Sequence, residues 1–358
     1  MSLALPSPRD EAWRWADLKA LPALAEASPA AERPALPPFI LGTGARLVFV
    51  NGRIDAALST PGPVALGPLD PVTDHALGRL ATGQGWQLDL PAGSTGAAVE
   101  IVHVSTGGAN HLPGRITLGE AAQAMIVETF IGDGWANRLT AITLAAGAKL
   151  DRVVRLAQDS GFQSLRDEAE IGADARLATT VLALGGAGSR SDARLVIAGE
   201  GGSAEMGGAL LARDSQRHEA AVVVRHAAPG GTSRQLWRAV ADDQATASLA
   251  ARVEVARHAQ QTDGEQSLRG LLLRRTATIN LKPELEIFAD DVKCAHGATV
   301  GELDRQALFY LASRGLPPVE ARAILTRAFV ADALEPVADE AVRAALLADA
   351  AHWLGARG

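Results

Sequence analysis

The chain has 358 residues, of which 47% are hydrophobic and 21% are charged. This length can fill a large core or more than one domain, and this composition is typical of an ordered protein rather than a disordered one. The net charge of −7 does not favour a nucleic-acid partner, because proteins that bind nucleic acid normally present a basic face.

Cys294 is the single cysteine, so no intramolecular disulfide can form, which is typical of a reducing compartment. The first residues lack the basic segment and the apolar run of a secretory signal. No stretch of about 18 apolar residues occurs that could cross a membrane as a helix. We therefore expect a cytoplasmic protein with no membrane partner.

Residues 1–44 read as a helical segment followed by a proline-rich linker. Apolar residues recur there at helical spacing among charged ones: Trp13, Leu18, Leu21 and Leu24. Pro22 is expected to end or bend this helix, because proline removes a backbone donor. Pro34, Pro37 and Pro38 mark the linker.

Residues 45–300 consist of short alternating segments punctuated by glycine, which is the period of β-strands. Four apolar positions in this region lie 26, 27 and 26 residues apart (144−118, 171−144 and 197−171): Leu118, Leu144, Ile171 and Ile197. An alanine follows each of the first three at the fourth position: Ala122, Ala148 and Ala175. A fixed period of this size indicates a solenoid, in which one repeat cannot bury its apolar face alone.

Two other folds compete with a parallel β-helix at this point. Leucine-rich repeats have similar periods, but their asparagine ladder and repeated leucine pattern are missing. An antiparallel sandwich whose apolar positions recur by accident remains an alternative, since only four positions match the repeat. The parallel β-helix fits the pattern better than either.

Residues 301–358 return to helical periodicity and predict a small C-terminal helical domain. Leu308, Leu311 and Ala312 form one helical face that ends at Gly315. A second helix is expected from about 318 to 333 and a third from about 339 to 354, both rich in alanine and leucine.

The glycine-rich stretch 199–204 fits the loose dinucleotide-binding pattern after a strand-like segment. That pattern requires a following helix, and Gly207 and Gly208 disfavour one. We therefore interpret the stretch as a turn of the solenoid. No phosphate loop of the Walker type and no serine-hydrolase elbow is present in the sequence.

The eight histidines are scattered without the close spacing of a zinc site: His75, His103, His111, His218, His226, His258, His296 and His352. His296 differs because an extended chain would place it on the same face as Cys294. A thiolate and an imidazole both suit iron and zinc. Two ligands are too few for a closed site, so either another chain completes it or Cys294 is a small packed residue beside an ordinary histidine.

The segment Lys282–Gly301, which contains Cys294 and His296, resembles the hallmark segment of the SufB/SufD family. The likeness continues through the helical residues Ala307–Leu311 and, at the N-terminus, through Glu11–Leu18. The strong match covers roughly residues 220–330.

This resemblance implies a right-handed parallel β-helix flanked by N-terminal and C-terminal helical regions. It also implies a subunit of a SufBCD complex that pairs with a SufB-type subunit through the β-helix and docks a SufC-type ATPase on its C-terminal helices. Phe309, Tyr310 and Leu311 are the expected docking region for the ATPase. A transient iron–sulfur cluster is expected at the SufB–SufD interface, with His296 and Cys294 as candidate ligands and no cofactor held stably by this chain alone.

The single cysteine favours a SufD-type scaffold without catalysis, because a SufB-type subunit needs separate thiols to accept and hold sulfur. A SufB-like subunit is the alternative. A β-helix carbohydrate-active enzyme is a remote one, since sugar sites stack rings on aromatic residues and only 4% of this chain is aromatic. A homodimer is also expected to be possible when the partner is absent, because an open strand edge can pair with itself.

Overall fold

The computed structural model describes residues 5–355, so the outermost residues of both predicted terminal regions lie outside the description. The helices are α1 (Leu21–Glu26), α2 (Arg305–Ser313), α3 (Pro318–Leu334) and α4 (Glu340–Gly355), with short 3-10 turns at Glu11–Trp13 and Gly78–Leu80. The first strands are β1 (Ala45–Val50), β2 (Arg53–Ile54), β3 (Val64–Leu69), β4 (Gly83–Leu90), β5 (Ala97–Leu118), β6 (Gln123–Leu144), β7 (Lys149–Leu156) and β8 (Phe162–Ile171). The later strands are β9 (Arg176–Ala183), β10 (Gly188–Ile197), β11 (Ser203–Ala212), β12 (Arg217–His226), β13 (Thr232–Ala241), β14 (Thr246–Val255), β15 (Thr262–Leu272), β16 (Thr278–Ile287) and β17 (Val292–Glu302).

The strands wind into a parallel β-solenoid with two faces. Face 1 stacks β1, the first half of β5, the first half of β6, β7, β9, β11, β13, β15 and β17 in parallel. Face 2 stacks β4, the second halves of β5 and β6, β8, β10, β12, β14 and β16. The predicted parallel β-helix with helical ends is therefore confirmed, and the sandwich is wrong.

The repeat read from the sequence is the register of the coils. Leu118 pairs with Leu144, Leu144 with Ile171, and Ile171 with Ile197 in adjacent parallel strands. The stack continues through His226, Val255 and Ile287. Leu118, Leu144, Ile171 and Ile197 belong to one continuous core between the faces, where apolar burial supplies the main driving force for folding. Val255 lies in a smaller cluster at the last coils, and Ile287 is exposed at the end of the stack.

Each coil turns a tight corner just before face 1. Ala122, Ala148 and Ala175 are fully buried there, because a larger side chain would have no room inside the corner. The residue before each alanine has a left-handed backbone: Ala121, Gly147 and Asp174. Gly201, in the glycine-rich stretch, occupies the same corner of the next coil, and the strand β11 follows it. The interpretation of that stretch as a solenoid turn is confirmed.

The opposite corner depends on stacked glycines. Gly134 and Gly161 both have positive φ and lie one above the other. A β-carbon on Gly161 would lie 2.2 Å from the carbonyl oxygen of Gly134, so the two backbones approach too closely for any side chain.

The N-terminal segment differs from the predicted single helix. Within residues 5–44 its helical elements are a 3-10 turn and α1, and Pro22 lies in the first turn of α1 rather than at its end. Proline is compatible with this position because the first backbone amides of a helix have no partner within it. The expectation that Pro22 ends the helix is wrong. Trp13, Leu18 and Leu21 nevertheless pack together against face 2, as the apolar pattern predicts.

The C-terminal helices end as expected from the sequence. Gly315 follows α2 in the left-handed conformation, and Pro318 is the first residue of α3. The side chain of Asp339 accepts a hydrogen bond from the Val342 amide at the start of α4. The helices α3 and α4 pack on the outer side of face 1, so they share an apolar cluster with the solenoid.

Candidate site at the open end of the solenoid

The two ends of the solenoid differ. At the first coil, β1 and β4 are each flanked by a short antiparallel strand, β2 and β3. At the last coil, β16 pairs with β14 and β17 pairs with β15, and no further strand among residues 5–355 covers their outer edges. Their backbone groups are a template for another chain.

Cys294 and His296 lie on this last coil, in β17. Cys294 is in register with Gly264 and His296 with Gln266 on the neighbouring strand. Side chains two apart on a strand point to the same side, and here that side is the interior. The sequence therefore placed both residues correctly on one face of a strand, while their role as ligands stays a prediction.

The Cys294 thiol is half-buried beside an apolar cluster that includes Val253 and Ala289. Burial raises the pKa of this thiol above its ordinary value, and the hydrogen bond of the Gly264 backbone opposes the shift. A thiol ligates metals as the thiolate, so a cation must displace the proton before Cys294 can bind it. Gly264 leaves space above the sulfur, since a β-carbon there would lie 3.5 Å from Sγ.

His296 is exposed at the mouth of the coil. No cluster of three or more histidine, cysteine, aspartate or glutamate side chains within the described part of the chain is arranged to hold a metal ion. Cys294 and His296 thus supply at most two ligands of a site, and closed zinc or iron–sulfur sites use four. The remaining ligands must come from elsewhere.

Apolar side chains are exposed around this end. Phe288, on the loop between β16 and β17, is 65% exposed, and Ile287 and Val300 are also exposed. In α2, Phe309 is 76% and Tyr310 is 57% exposed, while Leu311 is half-buried. Phe309 and Tyr310 are therefore not core residues. Exposed apolar groups mark interaction surfaces, and these lie on two elements, the last coil and α2.

A buried ionic network inside the first coils was not foreseen from the sequence. His103 Nε2 lies 3.0 Å from Glu128, and Arg152 bonds both Glu128 and Asp167. Arg138 donates to Nδ1 of His103, which fixes the proton of a neutral ring on Nε2. Charged residues at inward strand positions were the available signal, but their partners lie on other strands, 15 to 35 residues away.

The electrostatics of this network follow from its burial. Burial, together with the charge of Arg138, lowers the pKa of His103 to about 4. Burial alone would raise the pKa of Glu128, but Arg152 and His103 outweigh it and lower the value to about 2. The pair is therefore a neutral imidazole donating to a carboxylate, and the network is a structural element of the core.

A cavity lies on the outer side of face 2, beneath the N-terminal segment. It has a volume of about 370 Å³, and Trp13 and Trp15 form one wall. Arg190 stacks on the Trp13 ring at 3.9 Å and pairs with Asp192 and Glu219. These contacts hold the N-terminal segment onto the solenoid.

The chain is thus a parallel β-solenoid protein. Helices pack on its face 1, and its open end carries Cys294 and His296. The profile of the SUF system iron–sulfur cluster assembly SufBD core domain matches residues 103–329, which is more than half of the chain. The chain therefore belongs to the SufB/SufD family of iron–sulfur cluster assembly proteins.

Individual relatives agree with this assignment. The chain is 30% identical to the iron–sulfur cluster assembly protein SufD of Escherichia coli over 69% of its own length and 61% of that protein. It is 30% identical to a SufBD family protein of Mycobacterium tuberculosis over 98% of its length and 89% of that protein. It is 28% identical to a SufBD family protein of Synechocystis over 94% and 84% of the two chains. Within the family the chain is therefore SufD-like. No helix in residues 5–355 is long and apolar enough to cross a membrane.

Proposed function

We propose that this chain is a SufD-type scaffold that pairs through its open end with a SufB-type subunit. The observation that carries the proposal is the uncovered last coil, where the edges of β16 and β17 lie beside exposed Phe288 and Val300. A partner solenoid can add strands to these edges and bury the apolar side chains at the same time.

The pairing gives Cys294 and His296 a function. In the paired state both side chains face the junction, and the partner supplies the further ligands that this chain lacks, including a cysteine expected from the SufB-type subunit. The iron–sulfur cluster is then cargo that forms between two chains. His296 is the stronger candidate of the two, because it is exposed while the Cys294 thiol is packed and has a raised pKa.

The helix α2 is the proposed docking site for a SufC-type ATPase. Its exposed Phe309 and Tyr310 project from a helix that buries none of its own residues, with Leu311 beside them. Closure of two bound ATPases would change the relative position of the paired solenoids and expose the ligands between them, because a partner shifts a two-state interface only by binding one state better.

The chain itself performs no turnover in this proposal, and it works in the cytoplasm as part of a complex. The buried charged residues form ion pairs with one another, as Arg152 does with Glu128 and Asp167. Their arrangement supports a structural role, because each member contacts another member inside the core.

The test is co-expression with SufB-type and SufC-type subunits, followed by anaerobic cluster reconstitution of the wild type and His296→Ala. We expect both to form the complex and the variant to lose iron and cluster absorbance. His258→Ala, which removes another exposed imidazole, is the matched control and should behave as the wild type. A complex of His296→Ala that assembles clusters normally would refute the ligand role and leave the chain as a structural partner.

A further inference from the structure

Gln266 has a side chain whose buried amide makes no hydrogen bond. It is 1% exposed, and neither Nε2 nor Oε1 has a partner. Burying an amide without partners costs free energy, so nearly all such groups in folded proteins are satisfied. This amide therefore calls for a polar side chain close enough to turn toward it.

The position of Gln266 indicates which partner it has. It is in register with His296 on the adjacent parallel strand, and both side chains point into the interior. Adjacent strands lie about 4.8 Å apart, so side chains at paired positions on the same face are neighbours. The next residue in the same row, Gln235, donates its Nε2 to the Arg252 carbonyl oxygen at 3.2 Å, while its Oε1 is buried without a partner. Gln235 can therefore accept from Nε2 of Gln266, which leaves Oε1 of Gln266 for His296.

We propose that Gln266 is a positioning residue for His296: the Gln266 amide oxygen accepts a hydrogen bond from the N–H group of the imidazole. That hydrogen bond fixes one tautomer and leaves the other ring nitrogen directed at the mouth of the coil. Histidine ligands almost always donate their second nitrogen to such an acceptor, which orients the ring. The inference rests on the ligand role of His296 in the proposed function, and it deepens that role.

The space around the two residues favours this contact. Cys294 pairs with Gly264, which has no side chain, so Gln266 is free of a bulky neighbour on that side, while the buried Leu268 flanks it on the other side along the same strand. Closing the mouth with a partner would also remove water from His296. A hydrogen bond to Gln266 that is already formed in the free chain would keep the ring nitrogen satisfied in the complex.

The first experiment measures the tautomer of His296 in the full chain alone. Histidine is labelled with ¹⁵N, and the ring signals are recorded at about pH 8.5, well above the ordinary imidazole pKa of about 6.5. His296 is assigned by the signal lost in His296→Ala. We expect a single tautomer in the wild type and a mixture of both in Gln266→Met, which keeps the shape of the side chain but cannot hydrogen-bond.

Gln158→Met is the matched control, because Gln158 is also buried with both amide atoms unpartnered but lies on a distant coil. It should leave the His296 signals unchanged. The proposal is wrong if the wild-type ring is already a mixture, or if Gln266→Met gives the wild-type spectrum. If Gln266→Met does not fold, the wild-type spectrum alone tests the proposal. An NMR coupling across the hydrogen bond between the His296 ring and the Gln266 amide would support it, and the absence of that coupling would contradict it.

The second experiment separates this inference from the proposed function. In the complex with the SufB-type subunit, Gln266→Met should lower iron affinity by about 10–100-fold while the complex still forms. Undiminished iron binding in the variant would overturn the inference. Normal cluster assembly in His296→Ala would instead remove the ligand role itself, whatever the tautomer measurement gives.

Discussion

At the scale of single residues, Arg152 is the charge most completely enclosed by the solenoid. It bonds Glu128 and Asp167 inside the core. We expect Arg152→Met to lower the free energy of unfolding by about 3–5 kcal/mol, because two carboxylates would remain buried without their counter-ion. Urea unfolding monitored by circular dichroism measures the change.

Arg115→Met provides the control for Arg152→Met. Arg115 lies at the surface 3.6 Å from Asp89, with both side chains about half exposed. Its loss should cost no more than about 1 kcal/mol, since surface ion pairs contribute little. Equal effects of the two substitutions would show that the buried network is not stabilising.

His218 makes the stability of the protein depend on pH. Burial lowers the pKa of His218 to about 4, against about 6.5 in an unfolded chain. Between those values the unfolded state binds a proton that the folded state does not, so this contribution is complete above about pH 6.5 and is lost as the pH falls to about 4.

His218→Gln removes this proton linkage. We expect the wild type to lose on the order of 3 kcal/mol more than the variant between pH 6.5 and 4, from a shift of about 2.5 pKa values at 1.36 kcal/mol each. Chemical unfolding at several pH values measures both slopes. Parallel slopes would show that the ring is protonated without loss of structure.

The sequence allowed some of these residue roles to be predicted and concealed others. Cys294 and His296 were found because they are two positions apart on one strand, where local alternation fixes the face. Gln266 and Arg152 were not, because their neighbours lie on other strands, and only the winding of the coils brings them together.

At the scale of elements, α2 presents its aromatic side chains to solvent. Phe309→Ala and Tyr310→Ala should change the free energy of unfolding by no more than about 0.5 kcal/mol, because neither side chain is buried. Both should weaken capture of the SufC-type ATPase in a pull-down of co-expressed subunits. Val72→Ala, which alters another highly exposed apolar residue, should not. Full ATPase capture by the double variant would exclude this face of α2 from docking.

The coils were predictable only where their period was regular. The interval lengthens after Ile197 to 29, 29 and 32 residues (226−197, 255−226 and 287−255), and His226 stands where a leucine or isoleucine is expected. Longer corners accommodate the extra residues without disturbing the strand register. The repeat therefore continued in the structure after it had disappeared from the sequence.

The helical regions at the two termini also show where prediction from local sequence succeeds and where it fails. The C-terminal helices were predicted within a residue or two, because proline and glycine mark their ends. The N-terminal helix was not, since its apolar spacing arises from a folded-over segment that packs on Trp135 and Phe162 of face 2. Packing against a distant surface produced a pattern that resembles helical periodicity.

At the scale of the whole molecule, each coil contacts chiefly the coils on either side of it, so local stability should vary along the axis. We expect amide hydrogen exchange to be slowest in β9 to β12 and fastest in β16 and β17, where each strand has one partner only. Mass spectrometry of exchanged peptides measures this profile. Binding of the SufB-type subunit should slow β17 specifically, and uniform exchange along the axis would contradict the expectation.

Because the last coil is uncovered, the amount of this chain that stays unaggregated should depend on the rate at which its partner is made. Every copy synthesised in excess keeps two bare strand edges and an exposed Phe288 until another solenoid covers them. Such edges promote association with whatever strand is nearest, so surplus chains should pair with one another or aggregate. Balanced supply of the two subunits is therefore a physical requirement of an open-ended solenoid.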